Sequence, residues 1–490
     1  MATKEETLDP SDWKKTEELG MQMVKDMMQY LSTVRDRKVW QEPPGEVKNF
    51  FNQAIPEDGY DEEKIYEDFK TKILPYPTGN IHPRFWGWVM GTGTPFAMLA
   101  DMLASGMNIN QGGGNHVGGL VENQLINWFK KLFGFPANAS GLLVSGGSMA
   151  NLTGLTVARY AKAGFDLRKK GIYGSDKRMM VYASTEVHNC VNKAVDLLGL
   201  GSDSLRLINV NDNYEIDIEE LQEQILRDRE SGLMPFCVVG NAVTVNTGAC
   251  DDLVALADLC KKEDLWFHVD GAIGAMLSLS EKYKNKVAGI ERADSLAFDM
   301  HKWLYIPYEA AGTLVRNNDL HYNAFSLPAA YLQHEQRGMG GGDTWFSDYG
   351  VELSRGFKAL KIWMSLKEHG TKKFGRMITQ NVEQVQYLKS LINKNLKLEL
   401  TGPAPLNLLC FRYIGDLKND EQLNELNKEL LFRLHESGIA LPSYTTLKGK
   451  YSIRVANTNH RTVKEDFEIL VNKVVELGEE LEKELLHLQN

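Results

Sequence analysis

Between about Arg84 and Gly370, short apolar runs alternate with stretches of helical period, and this alternation leaves few architectures open. The runs are 141–144 (GLLV), 179–182 (MMVY), 235–240 (PFCVVG), 265–269 (LWFHV) and 295–298 (SLAF). Their length and continuous apolarity suit strands buried on both faces. Strands spaced by helices predict an α/β fold with a mostly parallel central sheet flanked by helices. Each run stops before a polar or glycine-containing segment. Ligands of such sheets bind beyond the carboxyl ends of the strands, so chemistry is expected in those segments.

Two flanks complete the organisation. Residues 1–83 read as an N-terminal helical segment. Within 12–35, Leu19, Met23, Met27, Tyr30 and Val34 form one helical stripe, either an ordinary packing face or an arm that reaches a partner subunit. Residues 84–370 form the large domain. Residues 371–490 mix charged helices with short strands at 406–411 and 451–455 and end in a charged amphipathic helix at 463–488, a small α+β domain. The 490 residues are 43% hydrophobic and 24% charged, which is enough for a substantial core. Acidic residues outnumber basic ones 65 to 55, net −10, with no long basic run, so nucleic acid is not an expected partner. No apolar run is long enough for a membrane span. The first 18 residues lack the apolar core of a secretory signal. Five scattered cysteines without CxxC spacing read as reduced thiols of a cytoplasmic protein. The 11 histidines show no HExxH or HxH arrangement, so no metal is expected.

Three segments carry the chemistry. After the first run, Ser145-Gly146-Gly147-Ser148 opens a helix-compatible stretch. Glycines admit a ligand close to the backbone, and free amides at a helix start bind an anion. By itself such a turn is also a plain strand–helix connection. Asp270 follows a buried run; a carboxylate there meets a cation, a metal or a strong donor, or else caps the next helix. Lys302 stands just past another run, 32 residues after Asp270, a separation that fits one turn–helix–strand unit. A lysine near the floor of a cleft can have a depressed pKa and form Schiff bases. A solitary one is ordinarily a surface residue.

SGGS (145–148), STEVH (184–188), HVDGA (268–272) and DMHKW (299–303), in this order, resemble the group II decarboxylases that depend on pyridoxal 5′-phosphate (PLP). That family includes aromatic L-amino acid, glutamate and cysteine-sulfinate decarboxylases and has the fold type I PLP-dependent transferase fold. The similarity runs from HPRFWGW (82–88) to IRVANTNHRT (453–462). The resemblance implies that Lys302 holds PLP as a Schiff base, Asp270 pairs with the pyridine nitrogen and His188 stacks on the ring. Gly147 and Ser148 hold the phosphate, His301 helps contact it, Thr244 lies near the cofactor and Ala272 lies under the ring. In LPAAYLQHEQRGMGGGDTW (327–345), the YLxH segment resembles the family's mobile catalytic loop. Tyr331 is then the residue that protonates the substrate carbon after CO2 leaves, where aldehyde synthases usually carry phenylalanine. The family works as homodimers with the active site at the subunit interface.

The chain departs from the family pattern at Asn241, where many relatives have threonine, and at Met300. Trp88-Val89-Met90-Gly91-Thr92 and QGGGNHVGG (111–119) replace segments of the animal aromatic enzymes and look bacterial. Trp88 is expected to pack against an aromatic substrate. No arginine is clearly placed to clamp a second carboxylate. Ser354 matches a position where related plant enzymes with serine prefer phenolic substrates. The expected reaction is therefore decarboxylation of an aromatic L-amino acid to its amine. The alternatives are a decarboxylase of an acidic amino acid, an aromatic aldehyde synthase and a catalytically silent regulator.

Overall fold

The computed structural model describes residues 5–327, 335–342, 344–417 and 419–488. The strands in chain order are β1 (Phe85–Trp86), β2 (Ser140–Val144), β3 (Met179–Ser184), β4 (Leu205–Ile208), β5 (Met234–Asn241), β6 (Trp266–Asp270), β7 (Ser295–Asp299), β8 (Ala311–Val315), β9 (Leu398–Leu400), β10 (Leu408–Tyr413), β11 (Leu441–Leu447) and β12 (Lys450–Ala456). Among the described residues they form two sheets. The large sheet has the order β2-β8-β7-β6-β5-β3-β4. Strands β4, β3, β5, β6 and β7 pair in parallel, and β8 runs antiparallel to both β2 and β7.

All five apolar runs lie in strands of this sheet, so the expected α/β class holds. β4 and β8 are additions. β8 (AGTLV) holds two small residues and a threonine in five, and β4 is largely half-exposed, so neither presents a long apolar run. Because β2, β5, β6 and β7 share one direction, residues 145, 241, 270 and 299 meet at one edge.

Eight helices matter for the argument. They are α1 (Trp13–Ser32), α2 (Pro95–Met107), α3 (Val117–Leu132), α4 (Gly147–Lys162), α5 (Asn189–Leu197), α6 (Ala359–Lys394), α7 (Asp420–Ser437) and α8 (Lys464–Leu488). Buried Ala150, Leu155, Val157 and Ala158 pack α4 against the large sheet. At the start of α1, Asp12 accepts from the Lys14 and Lys15 amides at 3.0 and 3.3 Å, a side-chain N-cap. The methionine stripe divides: Tyr30 of α1 and Val34 just beyond it are buried, whereas Leu19, Met23 and Met27 line an open groove with Ile65, Tyr66 and Phe69.

The small sheet, β1-β11-β12-β10-β9, is antiparallel except where β1 pairs in parallel with β11. Its core gathers Trp86, Phe411 and Tyr413 with Leu430 and Leu434 of α7 and Phe467 and Leu470 of α8. Trp86 is fully buried and stacks on Phe467 at 4.8 Å, and its Nε1 donates to Thr462 Oγ1 at 3.3 Å. The chain thus ties its N-terminal part into the C-terminal sheet at residues 85–86, directly before Trp88. Helix α6 crosses the other expected boundary and breaks at Gly370, whose φ of 66° is readily open only to glycine.

Candidate active site

A cavity of about 530 Å³ opens at the carboxyl edge of the large sheet. Ser145, Gly146, Gly147 and Ser148 enter it from the β2–α4 junction, His188 from the start of α5, and Asn241, Asp270 and Asp299 from the ends of β5, β6 and β7. Helix α4 has sixteen residues, and its N-cap is Gly146, which supplies no side-chain cap. Its first amides are therefore left for an anion, reinforced by the helix dipole. Space is tight beside them: a Cβ on Gly147 would lie 2.8 Å from Asp299 Oδ2 and 3.1 Å from Ala272 Cβ. Any side chain there would fill the cradle.

Lys302 lies on the short turn that follows β7, and its Nζ is 2.8 Å from Asp299 Oδ2. The pKa of this lysine is not depressed. Burial does push the ammonium down, but the Asp299 carboxylate, assisted by Asp270 and Tyr308, outweighs it and holds the pKa above its usual value. The other oxygen, Asp299 Oδ1, is buried without a hydrogen-bond partner among the described residues. Asp270 Oδ1 accepts from the Ala272 amide at 3.1 Å, which leaves Oδ2 for a cation.

Two histidines are fixed as neutral rings. His188 Nδ1 accepts from the Cys190 amide at 3.2 Å, and His301 Nδ1 accepts from the Ala310 amide at 3.1 Å. Burial lowers both pKa values, so the proton sits on Nε2 in each. His301 also packs on Tyr308 with ring centroids 4.5 Å apart.

Trp88, Gly147, Ser148, His188, Asp270, Ala272, His301 and Lys302 all line this one cavity. Thr244 does not appear in its lining. It is buried and serves its own loop, with Oγ1 3.0 Å from Thr247 Oγ1 and accepting from the Ala249 amide at 3.1 Å. Ser354 is exposed and also lies outside the lining; its neighbour Arg355 is buried against Glu122 at 2.5 Å. Tyr331 lies outside the described residues. The sequence reading assigned no role to Asp299, although its place three residues before Lys302 was a usable signal. Tyr308, shortly after Lys302, and Tyr444 and Arg454, from a distant segment, also reach the cavity, and none of the three was expected from the sequence. Arg454 is buried, with its N–H groups directed to the carbonyls of Val245 and Trp88 and to Ser443 Oγ.

The residues fit PLP on three counts. The uncapped α4 N-terminus with two serines suits a phosphate, Lys302 suits an aldehyde carbon, and Asp270 suits a protonated ring nitrogen. The absence of a side chain at Gly147 keeps the start of α4 open to such a group.

Comparison with known proteins agrees. Residues 44–414 match the pyridoxal-dependent decarboxylase conserved domain. The chain is 36% identical over 468 residues to an aromatic-L-amino-acid decarboxylase of Bacillus atrophaeus, covering 95% of each chain. It is 26% identical to tryptophan decarboxylase 2 of Oryza sativa subsp. japonica, covering 92% of each. The crystal structure of Oryza sativa TDC with PLP and tryptamine superposes with a TM-score of 0.89 at 23% identity, over 97% of this chain and 100% of that one, a match of fold. Cavity, fold and sequence converge on one statement: the chain belongs to the pyridoxal-dependent decarboxylases and is a PLP-dependent carboxy-lyase acting on an amino acid.

Proposed function

We propose that the protein converts an aromatic L-amino acid to its amine and CO2. The observation that carries this reading is the pairing of aromatic walls with an already engaged cation. Trp88, Tyr308 and Tyr444 line the cavity, and Arg454, its one arginine among the described residues, already donates to Val245, Trp88 and Ser443. A flat apolar side chain gains from such walls, by about 1 kcal/mol per ring pair beyond burial. A second carboxylate would have to compete for a guanidinium that is already engaged. The identity to the Bacillus atrophaeus enzyme points the same way.

In this reading Gly147 and Ser148 bind the phosphate, His301 supports them, and Thr244 braces the loop beside the ring. Bound PLP supplies a protonated ring that accepts the electron pair released when the carboxylate leaves. Asp270 keeps the proton on the ring nitrogen through its free Oδ2. His188, neutral and exposed at the mouth of the cavity, would cover the ring face and exclude water, with Ala272 leaving room on the other side. Lys302 must shed a proton before its nitrogen can bond to carbon, and Asp299, 2.8 Å away, holds that proton at Nζ. Tyr331 returns a proton to the substrate carbon, an assignment that rests on the family resemblance. Ser354 belongs to the substrate side of the same proposal.

A homodimer with its active site at the interface belongs to this reading too. Phe96, Met102, Leu103 and Met107 on α2 and Leu120 on α3 are exposed apolar side chains, a surface that suits burial against a second copy. A cytoplasmic location is supported by five free cysteines, four of them buried.

The test is an amine and CO2 assay on tyrosine, DOPA, tryptophan, phenylalanine, glutamate, aspartate and cysteine sulfinate, with cofactor absorbance recorded in parallel. Amine from an aromatic substrate is expected. Turnover of the acidic substrates alone would overturn the aromatic assignment. Aldehyde with hydrogen peroxide and ammonia would make the protein an aldehyde synthase. Cofactor absorbance without turnover of any amino acid would leave a silent member of the family.

A further inference from the structure

Beneath the cavity runs a hydrogen-bonded chain that the reaction does not use. His268 lies on β6, two residues before Asp270, and is fully buried. Its Nε2 is 2.7 Å from Asn151 Oδ1 and its Nδ1 is 2.7 Å from Ser295 Oγ. An amide oxygen only accepts, so Nε2 carries the proton. Burial pushes the imidazole pKa down to about 3, so the ring is neutral and Nδ1 accepts the Ser295 hydroxyl. Ser295 Oγ also accepts from Trp266 Nε1 at 2.8 Å. At the other end, Asn151 Nδ2 donates to the Gly147 carbonyl at 2.8 Å and to Cys190 Sγ at 3.5 Å. The link therefore begins at the first residue of α4 and ends on β7.

The fit around the ring is close. A Cβ on Gly154 would fall 2.6 Å from His268 Cε1 and 3.1 Å from Ser295 Oγ, so α4 lies on the sheet directly above the imidazole. A glycine on the helix and a histidine on the strand occupy one contact.

We propose that His268 is a positioning residue for the cofactor: through Asn151 it fixes Gly147 relative to Asp270, so that the anion seat and the carboxylate keep one spacing. The inference rests on the reading that Gly147 and Ser148 hold the phosphate and Asp270 the ring nitrogen. PLP is a rigid ring whose phosphate arm and nitrogen have a set separation. Two seats on different elements bind it together only when held to within about 0.5 Å. The strand carrying Asp270 is held by its ladder to β5 and β7; the start of α4 gains its side-chain tie to that strand through His268 and Asn151.

Two substitutions separate positioning from mere packing. Gln at 268 places a donor near the Nε2 position and keeps the link to Asn151; Asn places an acceptor near the Nδ1 position and keeps only the link to Ser295. PLP affinity is measured by absorbance titration of the stripped enzyme, alongside the thermal midpoint of the same unloaded protein. His268→Asn is expected to weaken PLP about tenfold and His268→Gln less than about twofold, while both lower the midpoint to similar degrees. Equal weakening by both variants, or weakening by neither, would overturn the inference. If His268→Asn does not fold, Asn151→Ser cuts the same link from the helix side and must give the same loss; an unchanged affinity there overturns it equally. A wild-type protein that takes up no PLP would remove the cradle reading and this inference with it. Normal uptake by wild type and by His268→Asn would remove the inference alone.

Discussion

Asn427, in the C-terminal unit, is fully buried and spends its groups locally: Oδ1 accepts from the Tyr413 amide, and Nδ2 donates to the Tyr413 and Leu423 carbonyls, each at 2.8 Å. Asp299, at the edge of the large sheet, is just as buried but leaves Oδ1 without a partner and offers Oδ2 to a lysine. Around Asp299 lie Asp270, His188, His301 and the uncapped start of α4, whereas around Asn427 lie leucines and a strand edge. Burying a polar group costs free energy unless it is satisfied. Asn427 meets that cost within the chain. Asp299, beside a lysine at the edge of a cavity, leaves part of it to be met by a ligand.

The largest expected effect comes from Lys302→Ala, which should lower kcat/KM by at least about a thousandfold and abolish the cofactor absorbance that depends on a lysine bond. Substantial residual turnover would erase the distinction drawn at the cavity. Asp299→Asn should come next, lowering kcat/KM about tenfold or more because the carboxylate that holds positive charge at Lys302 is gone. An unchanged pH–rate profile would show that Asp299 is structural after all.

Asn427→Leu sharpens the other side of the comparison. It strands the Tyr413 amide and carbonyl, so a loss of about 2–3 kcal/mol in unfolding free energy is expected, with kcat per folded molecule unchanged. A fall in kcat at full cofactor occupancy would show that the C-terminal unit is not merely structural.

The smallest effect is on pH. Burial lowers His82, His321 and His460 to about 4 and His268 to about 3. An unfolded imidazole takes up its proton near 6.5, so between there and about 4 the unfolded chain binds more protons and stability falls as pH falls. Asp251 opposes this. Burial raises its carboxyl to about 6 against 3.8, so it adds stability as pH drops through that window. His188, His301, His369 and His435 are lowered too, while Glu186 and Asp294 are raised with Asp251. Eight histidines against three carboxyls give a net decline in the thermal midpoint of the unloaded protein from about pH 7 to 4.5. A flat midpoint would contradict the buried neutral histidines.

The large sheet was legible because five of its strands are unbroken apolar runs, and the site was legible because three of its residues follow such runs. β8 was not, since two alanine and glycine positions with a threonine carry little apolar signal, and β4 was not, because half its surface faces solvent. Asp299 was visible as a residue three before Lys302, but only distance turns that spacing into an ion pair. Arg454, Tyr444 and the link from His268 to Gly147 join segments far apart in sequence, and no local pattern announces them. Thr244 and Ser354 came from family likeness alone, and neither side chain lines the cavity formed by this single chain.

Arg454 Nη1 reaches the Trp88 carbonyl at 2.8 Å across 366 residues, and β1 waits for β11 to pair with it. Most of the chain is therefore synthesised before this wall of the cavity can form. The segment holding Lys302, Asp270 and the start of α4 is synthesised and able to collapse while residues 441–456 are still to be made, about thirty-five from the end. A product that ends between about residues 316 and 440 thus holds Lys302, Asp270 and the start of α4 but lacks Tyr444 and Arg454. The cavity is therefore walled only once residues 441–456 have joined segments made long before them.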